Sequence, residues 1–415
     1  MGLIKYAAAK TNMSLGLLDR DIAEAIMRTS LDLANGSYDE LVVVDVYQTG
    51  SGTGLNMNIN EIIASKASEL IGKNVHPNDH VNMGQSSNDV VPSAIRIAAV
   101  YAVERRLIPS LEDLLSSLKE LVDKTRDVIK PGRTHLRDAL PVTMGQEFSA
   151  YLDALERDLE ILKRVIEYVK ELPIGGTAVG TGINTHPLFG ELVVSEINSL
   201  TGLGLRVAKN RFRAMRLLTD LVYLSSVFRG IALNLMRLGQ DIRLMFSGPF
   251  TGIYEIDIEQ EIPGSSIMPG KTNPVTIEAI MQAMTQIIGL DASIAHANTL
   301  GEFELSMGIP LVGYSVIKQI DLLTEASSKF SRNVVKRIRP LRERARELAE
   351  KSQALVTIIS PVIGYDKATE LSKKIMSGYS LRQALRELGY SDEEINEILR
   401  LDNLVKPGYV AKKKD

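Results

Sequence analysis

Residue types that could carry out chemistry are concentrated in five polar stretches rich in glycine or proline. They are QTGSGTGLNMN (48–58), VHPNDHVNMGQSSND (75–89), KPGRTHLRDALP (130–141), PIGGTAVGTGINTHP (173–187) and PGSSIMPGKTNP (263–274). Catalytic groups often lie on loops that a rigid scaffold holds in place. The chain has only five histidines, and His135 lies in a polar loop rather than on an apolar stripe. His135 is therefore a candidate for acid–base chemistry.

The stretch TGSGTG invites comparison with a dinucleotide-binding loop. A G-x-G-x-x-G fingerprint that starts at Gly50 would place its third glycine at Leu55. No acidic residue closes a repeated βαβ unit, so a nucleotide site is disfavoured. The alternative is an anion-binding nest formed by Thr49, Ser51 and Thr53 with backbone N–H groups.

The stretch HPNDH places His76 and His80 four residues apart, which is the spacing of a helical metal site. Pro77 follows His76 directly, and Asn78 and Asp79 are typical turn residues, so a continuous helical face is disfavoured. The other interpretations are an ordinary loop at the start of a helix and a peripheral anion contact.

The stretch QSSND precedes an apolar helical pattern. Ser87, Asn88 and Asp89 are all good helix N-cap residues, so capping alone could explain them. A helix N-terminus with serine and asparagine side chains can also bind a carboxylate.

The stretch PGSSIMPGKTNP resembles a phosphate-binding loop only superficially. Five residues separate Gly264 from Gly270, where that motif requires four, and the preceding EIDIEQEI is acidic rather than an apolar strand. A phosphate loop is therefore excluded. Lys271, Asn273 and the paired serines are an unusual composition for a spacer, which leaves a mobile active-site loop as the alternative.

Composition indicates a globular protein of two or three domains, because the chain has 415 residues, 45% hydrophobic and 24% charged. The net charge of −3 gives no electrostatic case for nucleic acid or an anionic membrane. The chain has no cysteine, so thiolate chemistry and zinc–sulfur sites are excluded. Without a signal peptide or a long uninterrupted apolar run, the expectation is a cytoplasmic protein with no membrane partner.

Helical periodicity dominates the chain and predicts a mostly α fold. The predicted helical segments are 93–130, with a break or kink at Pro109, then 144–172, 210–246, 274–298 and a small helical tail from about 341. The best strand candidate is LVVVDVY (41–47), and no regular series of strands follows it. Long helices with apolar character on more than one face usually pack in a bundle or against other subunits.

Taken together, the five stretches resemble the signatures of the fumarase/aspartase superfamily, and within it those of the class II fumarases. The matching blocks are TGSGT-x-x-NMN, HPND-x-VN-x-x-QSSND, GRTHL-x-DA-x-P-x-T-x-GQEF, GGTAVGTG-x-NTHP and GSSIMPGKTNP. The last is nearly the family's signature loop, with Thr272 where valine is common. The resemblance covers essentially the whole chain.

The resemblance implies three helical domains, here residues 1–84, 85–342 and 343–415, with a long central bundle. Four subunits would form a homotetramer with a twenty-helix core, and each active site would draw on three chains. The implied reaction is reversible anti addition of water to fumarate, giving (S)-malate, with no metal or organic cofactor. The implied partners are the dicarboxylate and further copies of the chain.

The residue roles follow from the same resemblance. Ser265 matches the catalytic base, which needs N–H groups and a nearby cation to stabilise its alkoxide. His135 matches the residue that holds the catalytic water, and Glu278 the carboxylate that would raise its pKa. Lys271 would stabilise the aci-carboxylate intermediate. The other implied substrate contacts are Ser51, Thr53, Ser86, Ser87, Asn88, Thr134 and Asn273, and a secondary anion site would comprise His76, Asn78 and Asp79.

Aspartate ammonia-lyase is the main alternative, because members of the superfamily differ in the leaving group. That enzyme usually has glutamine at the position of His135, so His135 and NTHP (184–187) favour a fumarase. His80 is closer to the ammonia-lyase pattern, while Glu302 and GPFTG (248–252) depart from the usual residues of the family. A non-catalytic helical assembly is disfavoured because the key serine, histidine and lysine are present.

The chain begins at a segment that resembles the interior of the family's first domain. The expectation from this departure is a first domain that is less well anchored, with all active-site blocks retained.

Overall fold

The computed structural model describes residues 1–259, 264–406 and 408. The fold is mostly helical, as the apolar periodicity predicts. The helices are α1 (Gly2–Ser14), α2 (Arg20–Ala34), α3 (Thr53–Ile71), α4 (Ser87–Ala102), α5 (Ile108–Thr125), α6 (Met144–Val169), α7 (Phe189–Thr201), α8 (Arg211–Arg216), α9 (Thr219–Phe246), α10 (Val275–Ala297), α11 (Ile309–Lys329), α12 (Arg342–Lys351), α13 (Val356–Ile363), α14 (Tyr365–Met376), α15 (Leu381–Glu387), α16 (Asp392–Ile398) and α17 (Leu401–Leu404).

Short strands form three two-stranded sheets in the described residues. Two of the pairs are antiparallel and the third is parallel. The antiparallel pairs are β1 (Ile129–Thr134) with β2 (Arg137–Thr143) and β5 (Ile256–Ile258) with β6 (Ile338–Pro340), and the parallel pair is β3 (Glu171–Leu172) with β4 (Arg206–Val207).

The break or kink predicted at Pro109 takes the form of a change of helix type just before that residue, and the chain stays helical through it. A π-helical turn, Val103–Leu107, joins α4 to α5 and ends just before Ile108 and Pro109. Proline lacks a backbone N–H and its ring clashes with the preceding turn, so a local change of helix type accommodates it.

The chain divides into two compact units. Unit 1 is Met1–Leu111, Arg157–Leu233 and Gln282–Ala326, and unit 2 is Glu112–Glu156, Asn234–Met281 and Ser327–Asp415. The three-domain division at residues 84 and 342 stays a prediction.

Unit 1 contains a core built by α1, α2 and α3. Small side chains such as Ala9 and Ala23 are buried there with Ile63. A Cβ atom on Gly2 of α1 would lie 2.5 Å from the carbonyl oxygen of Ser30 in α2, so this contact requires glycine. Close packing of these helices supports the start of α3, where several of the predicted site residues lie.

Unit 2 contains a second core in which the C-terminal helices pack around the β1–β2 hairpin. Ile129 of β1 lies in one apolar cluster with Ala349 of α12, Leu371 of α14 and Leu385 of α15. The tail predicted from about residue 341 is helical as expected, and it supports the hairpin that carries His135.

The strand predicted at 41–47 is wrong. Asp39–Leu41 forms a 3₁₀ turn, and the chain that follows pairs with a helix rather than with another strand. The amide of Val43 donates to Asn58 Oδ1 of α3 at 3.0 Å, and Asn58 Nδ2 donates to the carbonyl of Leu41 at 3.2 Å. Val43 and Tyr47 are largely exposed, so β-propensity alone did not determine the local structure.

Within the described residues, α9 is the one helix that could cross a membrane by length and composition, and 44% of its most apolar window is buried. Its Asp220 forms a fully buried ion pair with Arg96 at 2.7 Å. Its Arg229 pairs with Asp291. These contacts are typical of a core helix.

Candidate active site

Four hydroxyl-bearing residues lie together in unit 1 where α3 and α4 begin. We call Ser51, Thr53, Ser86 and Ser87 the hydroxyl platform. Ser51 Oγ lies 2.8 Å from Thr53 Oγ1, which lies 3.0 Å from Ser87 Oγ. Because Thr53 is the first residue of α3 and Ser87 the first of α4, two helix N-termini meet at this cluster. Helix N-termini with hydroxyl donors favour a bound anion.

Gly52 is required for this arrangement. It caps α3 in the left-handed conformation, with φ of 76°, and a Cβ atom would lie 2.8 Å from Val91 Cγ1 of α4. The glycine in SGT therefore allows the start of α3 to approach α4 closely. This explains one glycine that resembled part of a nucleotide fingerprint.

Asp89 holds the start of α4 in place. Its Oδ1 accepts the amide of Ser86 at 2.9 Å, and its Oδ2 accepts the amides of Gly175 and Thr177 at 3.0 and 2.9 Å. Burial raises the pKa of Asp89 to about 6, an effect opposed by those N–H donors and by the charge of Lys5. The side chain of Asn88 donates to the carbonyl of Ala178 at 2.8 Å. QSSND does cap α4, but the N-cap residue is Ser86 rather than Ser87, Asn88 or Asp89: the Ser86 hydroxyl accepts the amide of Asn88 at 3.3 Å, and Asp89 completes the capping box from the third helical position.

Lys5 is a charged residue that sequence reasoning missed. Its fully buried ammonium donates to the amide oxygens of Asn56 at 2.9 Å, Asn82 at 3.1 Å and Gln85 at 3.0 Å. Burial lowers the pKa of Lys5 to about 7, and the Asp89 carboxylate opposes that shift. The three acceptors belong to the NMN and VNMGQ stretches, so Lys5 ties α1 to the segments that carry the platform.

HPNDH forms a capped turn. His76 Nδ1 accepts the amides of Asn78 and Asp79 at 3.3 and 3.1 Å, and His80 Nδ1 accepts the amide of His76 at 2.9 Å. A ring nitrogen that accepts an N–H is unprotonated, so the 3.3 Å contact of His76 with the Asp79 carboxylate is no ion pair at that nitrogen. In the described part of the chain, no group of three potential metal-ligand side chains converges. The secondary anion site stays a prediction.

The signature loop of unit 2 is held at its neck. Gly264 donates its amide to the carbonyl of Lys271 at 3.0 Å, and Asn273 Nδ2 donates to the carbonyl of Gly264. A Cβ atom on Gly264 would lie 2.1 Å from the amide nitrogen of Asn273, so only glycine fits. Pro263, the first residue of the predicted stretch, lies outside the described residues.

Beyond this neck the loop directs two backbone amides at Ser265. The Oγ atom accepts the amide of Met268 at 3.0 Å and that of Ile267 at 3.3 Å. N–H donors directed at a hydroxyl oxygen stabilise its alkoxide form relative to the hydroxyl. Two amide donors are thus in place at this hydroxyl, which is one of the two features that a serine base requires.

A pocket of about 610 Å³ lies at the base of the loop, and its lining includes Gln240, Arg243, Lys271 and Asn273. Glu278 lies close to the start of α10, and its Oε1 is 3.8 Å from Arg243 Nη2. The pocket thus contains two cationic side chains and can attract an anion. Arg243 was missed in the sequence analysis, because it lies in a segment whose apolar pattern predicts a core helix.

The stretch 130–141 was predicted as a loop, and that prediction is wrong because it forms most of the β1–β2 hairpin. His135 and Leu136 are its two tip residues, with φ of 54° and 57°, and Thr134 pairs with Arg137. Such turns usually contain asparagine or glycine, so the sequence lacked the usual signal. Thr134 and His135 are exposed, and Leu136 is 72% exposed. No hydrogen bond or ion pair between described residues joins His135 to Glu278 within the chain.

Comparison with known proteins settles the family. Residues 1–289 match a family described as "Lyase" and residues 355–406 one described as "Fumarase C C-terminus". Over 414 residues the chain is 60% identical to the fumarate hydratase class II of Saccharolobus solfataricus, covering 99% of this chain and 94% of that relative. The chain belongs to the fumarase/aspartase superfamily, among the class II fumarases.

Further class II fumarases are similar to this chain in sequence and in structure. The fumarate hydratase class II of Thermus thermophilus is 43% identical to this chain. The match spans 98% of this chain and 89% of that relative. The crystal structure of a recombinant class II fumarase from Schistosoma mansoni matches with a TM-score of 0.94 and 35% identity, covering 98% of this chain and 90% of that one. The enzyme class of this chain is therefore lyase, as the resemblance of the motifs implies.

Proposed function

We propose that the protein is a fumarate hydratase that adds water reversibly to fumarate to give (S)-malate. The observation that carries this proposal is the signature loop, where the Ser265 hydroxyl accepts two backbone N–H groups in a chain of the class II fumarase family. As part of the same proposal, the reaction serves the tricarboxylic acid cycle in the cytoplasm.

In the direction from malate to fumarate, the Ser265 alkoxide takes the C3 proton. The Ile267 and Met268 amides stabilise that alkoxide before the transfer. The C3 electron pair moves into the neighbouring carboxylate, giving an aci-carboxylate that the Lys271 ammonium stabilises, with Asn273 beside it. The C2–O bond then breaks, and the leaving hydroxide takes a proton from the His135 imidazolium to become water.

The second carboxylate of the substrate is assigned to the hydroxyl platform. Ser51, Thr53, Ser86 and Ser87 supply O–H donors at two helix N-termini, and Asn88 lies beside them. Thr134 lies next to His135 on the hairpin and is assigned to the substrate contacts.

We further propose a homotetramer in which different chains contribute to each active site. The exposed hairpin tip supports this, because an exposed His135 next to an exposed Leu136 has few contacts of its own to hold it in position. In that assembly Glu278 of another chain pairs with His135.

The experiment is a direct comparison of substrates. Purified protein is incubated with (S)-malate or with L-aspartate, and fumarate is followed by its ultraviolet absorbance. Fumarate from malate is the expected result, and fumarate from aspartate alone would identify an ammonia-lyase instead. A Ser265→Ala preparation made in the same host measures the background from host fumarase.

A further inference from the structure

A group of four charged side chains, two of them buried and two partly buried, lies at the base of the hairpin in unit 2. We call Lys130, Arg133, Glu147 and Glu255 the charged anchor. Lys130 Nζ lies 2.8 Å from Glu147 Oε2 and 3.3 Å from Glu255 Oε2, and Arg133 Nη2 donates to Glu255 Oε1 at 2.7 Å. The Glu255 side chain is fully buried and that of Lys130 is 2% exposed.

Glu255 is fixed by its backbone as well as by its side chain. Its amide donates to the carbonyl of Met245 at the end of α9, at 2.8 Å, and its carbonyl accepts the amide of Leu341 at 2.8 Å. The carboxylate therefore has little freedom to move. It is a rigid point to which the two cations of β1 are attached.

Burying the charges of Lys130 and Glu255 is expensive, and a well-packed apolar cluster of the same volume is often as stable. Stability alone therefore gives no reason for this composition. An ion pair also differs from apolar packing because it is directional: the Arg133 N–H must point at the Glu255 carboxylate oxygen that accepts it.

What the anchor holds is the hairpin tip. Arg133 lies two residues before His135, just beyond a bulge at Gly132, where a Cβ atom would lie 2.5 Å from the carbonyl of Leu140. The tip residues His135 and Leu136 have positive φ, and such a conformation persists only where its surroundings determine it. The exposed tip has few contacts of its own, so contacts of the two strands of the hairpin must hold the tip residues in this conformation.

We propose that Glu255 is a positioning residue for the reaction. Through Arg133 and Lys130, Glu255 fixes the position and orientation of the hairpin tip and therefore the position of the His135 imidazole. This inference rests on the proposed hydration of fumarate. It also gives a role to the first glutamate of the acidic run before the signature loop.

The test uses Glu255→Gln, which keeps the shape and removes the charge, and Arg133→Met, which removes one contact near the surface. For both, we expect kcat to fall roughly 10- to 100-fold, since small misplacements of catalytic groups have effects of this size. KM should change by less than about threefold, because the carboxylate-binding groups are elsewhere. Asp257→Asn is the matched control: it breaks an exposed pair with Arg339, two residues along the chain, and should leave kcat unchanged.

Two further measurements separate positioning from plain stability. Hydrogen exchange of the hairpin amides, 129–143, should become faster in Glu255→Gln and Arg133→Met but not in Asp257→Asn. In the double variant Arg133→Met/Glu255→Met, which leaves Lys130 paired with Glu147, apolar packing should restore Tm without restoring kcat. Arg133→Lys should recover part of the kcat lost in Arg133→Met.

Unchanged hairpin exchange in both Glu255→Gln and Arg133→Met would overturn the proposal, and so would wild-type kcat in the double variant. If Glu255→Gln does not fold, Arg133→Met decides alone. A wild-type protein without malate turnover would refute the proposed function, whereas the exchange experiment would still decide whether Glu255 holds the hairpin.

Discussion

The hydroxyl platform of unit 1 and the signature loop of unit 2 are built in opposite ways. In the platform, Ser51, Thr53 and Ser87 bond to one another, and Asp89 holds the backbone beneath them. The signature loop is tied at its neck, while its far side carries Ile267 at 83% and Met268 at 48% exposure.

This difference separates two tasks. Groups that bind a fixed carboxylate gain from being placed in advance, because no ordering is needed when the ligand arrives. A base that must approach a substrate carbon gains from a segment that can open for entry and close for reaction. Substitutions in the two regions should therefore affect different kinetic constants.

The largest effect is expected in the loop, from Ser265→Ala. Removal of the proposed base should lower kcat by roughly 10²- to 10⁴-fold, with little change in KM. Steady-state kinetics with malate measure this, and size-exclusion chromatography checks that the assembly is unchanged. Ser266→Ala, at the exposed neighbouring position, is the control. Equal rates in the two variants would remove Ser265 from the chemistry.

The second-largest effect is expected in the pH dependence of stability, and it comes from Asp89, which holds the backbone of the platform. Its folded-state pKa of about 6 lies above the unfolded value, so the folded protein holds a proton that the unfolded chain has lost. The corresponding stability, roughly 3 kcal/mol for a shift of about two units, is present below about pH 4 and is lost as pH rises through 6. Thermal unfolding from pH 4 to 7 should show this loss in the wild type relative to Asp89→Asn, which cannot titrate.

Asp21 provides a control of opposite sign. It is exposed, and Lys73 lowers the pKa of its carboxyl, so its small contribution is lost as pH falls. If the melting temperatures of Asp89→Asn and Asp21→Asn differ from wild type in the same way across this range, the buried carboxylate has a different role.

The smallest effect is expected from Ser87→Ala. Loss of one hydrogen bond to a charged carboxylate costs about 1.5 kcal/mol, which raises KM roughly tenfold and leaves kcat nearly unchanged. Ser380→Ala removes a hydroxyl at the start of α15, outside the platform, and should change stability only. A fall in kcat instead of a rise in KM for Ser87→Ala would contradict the proposal that the platform binds substrate while the signature loop carries out the chemistry.

Most of the helices could be predicted because apolar periodicity is a local property. The segments 144–172 and 274–298 correspond closely to α6 and α10. The site motifs were also recognisable, since their residue types are contiguous. The strand candidate at 41–47 failed because tertiary contacts with Asn58 replaced strand pairing.

The supporting residues of the site could not be predicted. Lys5 binds Asn82 and Gln85 across 77 and 80 positions of the chain, and Arg133 bonds Glu255 across 122. No local pattern in LIKYAAAK marks Lys5, rather than Lys10, as buried and bonded. Contacts of this kind depend on the folded arrangement of several helices, which residue spacing alone does not encode.

The hairpin tip also sets a limit on how far this enzyme could be stabilised. Each of its two left-handed residues costs roughly 1–2 kcal/mol relative to glycine. Substituting Asn-Gly at positions 135 and 136 would give a more stable hairpin turn but would remove the imidazole of His135. Leu136→Gly relieves part of this strain while keeping the histidine, so position 136 is where selection for heat resistance and selection for turnover can be uncoupled.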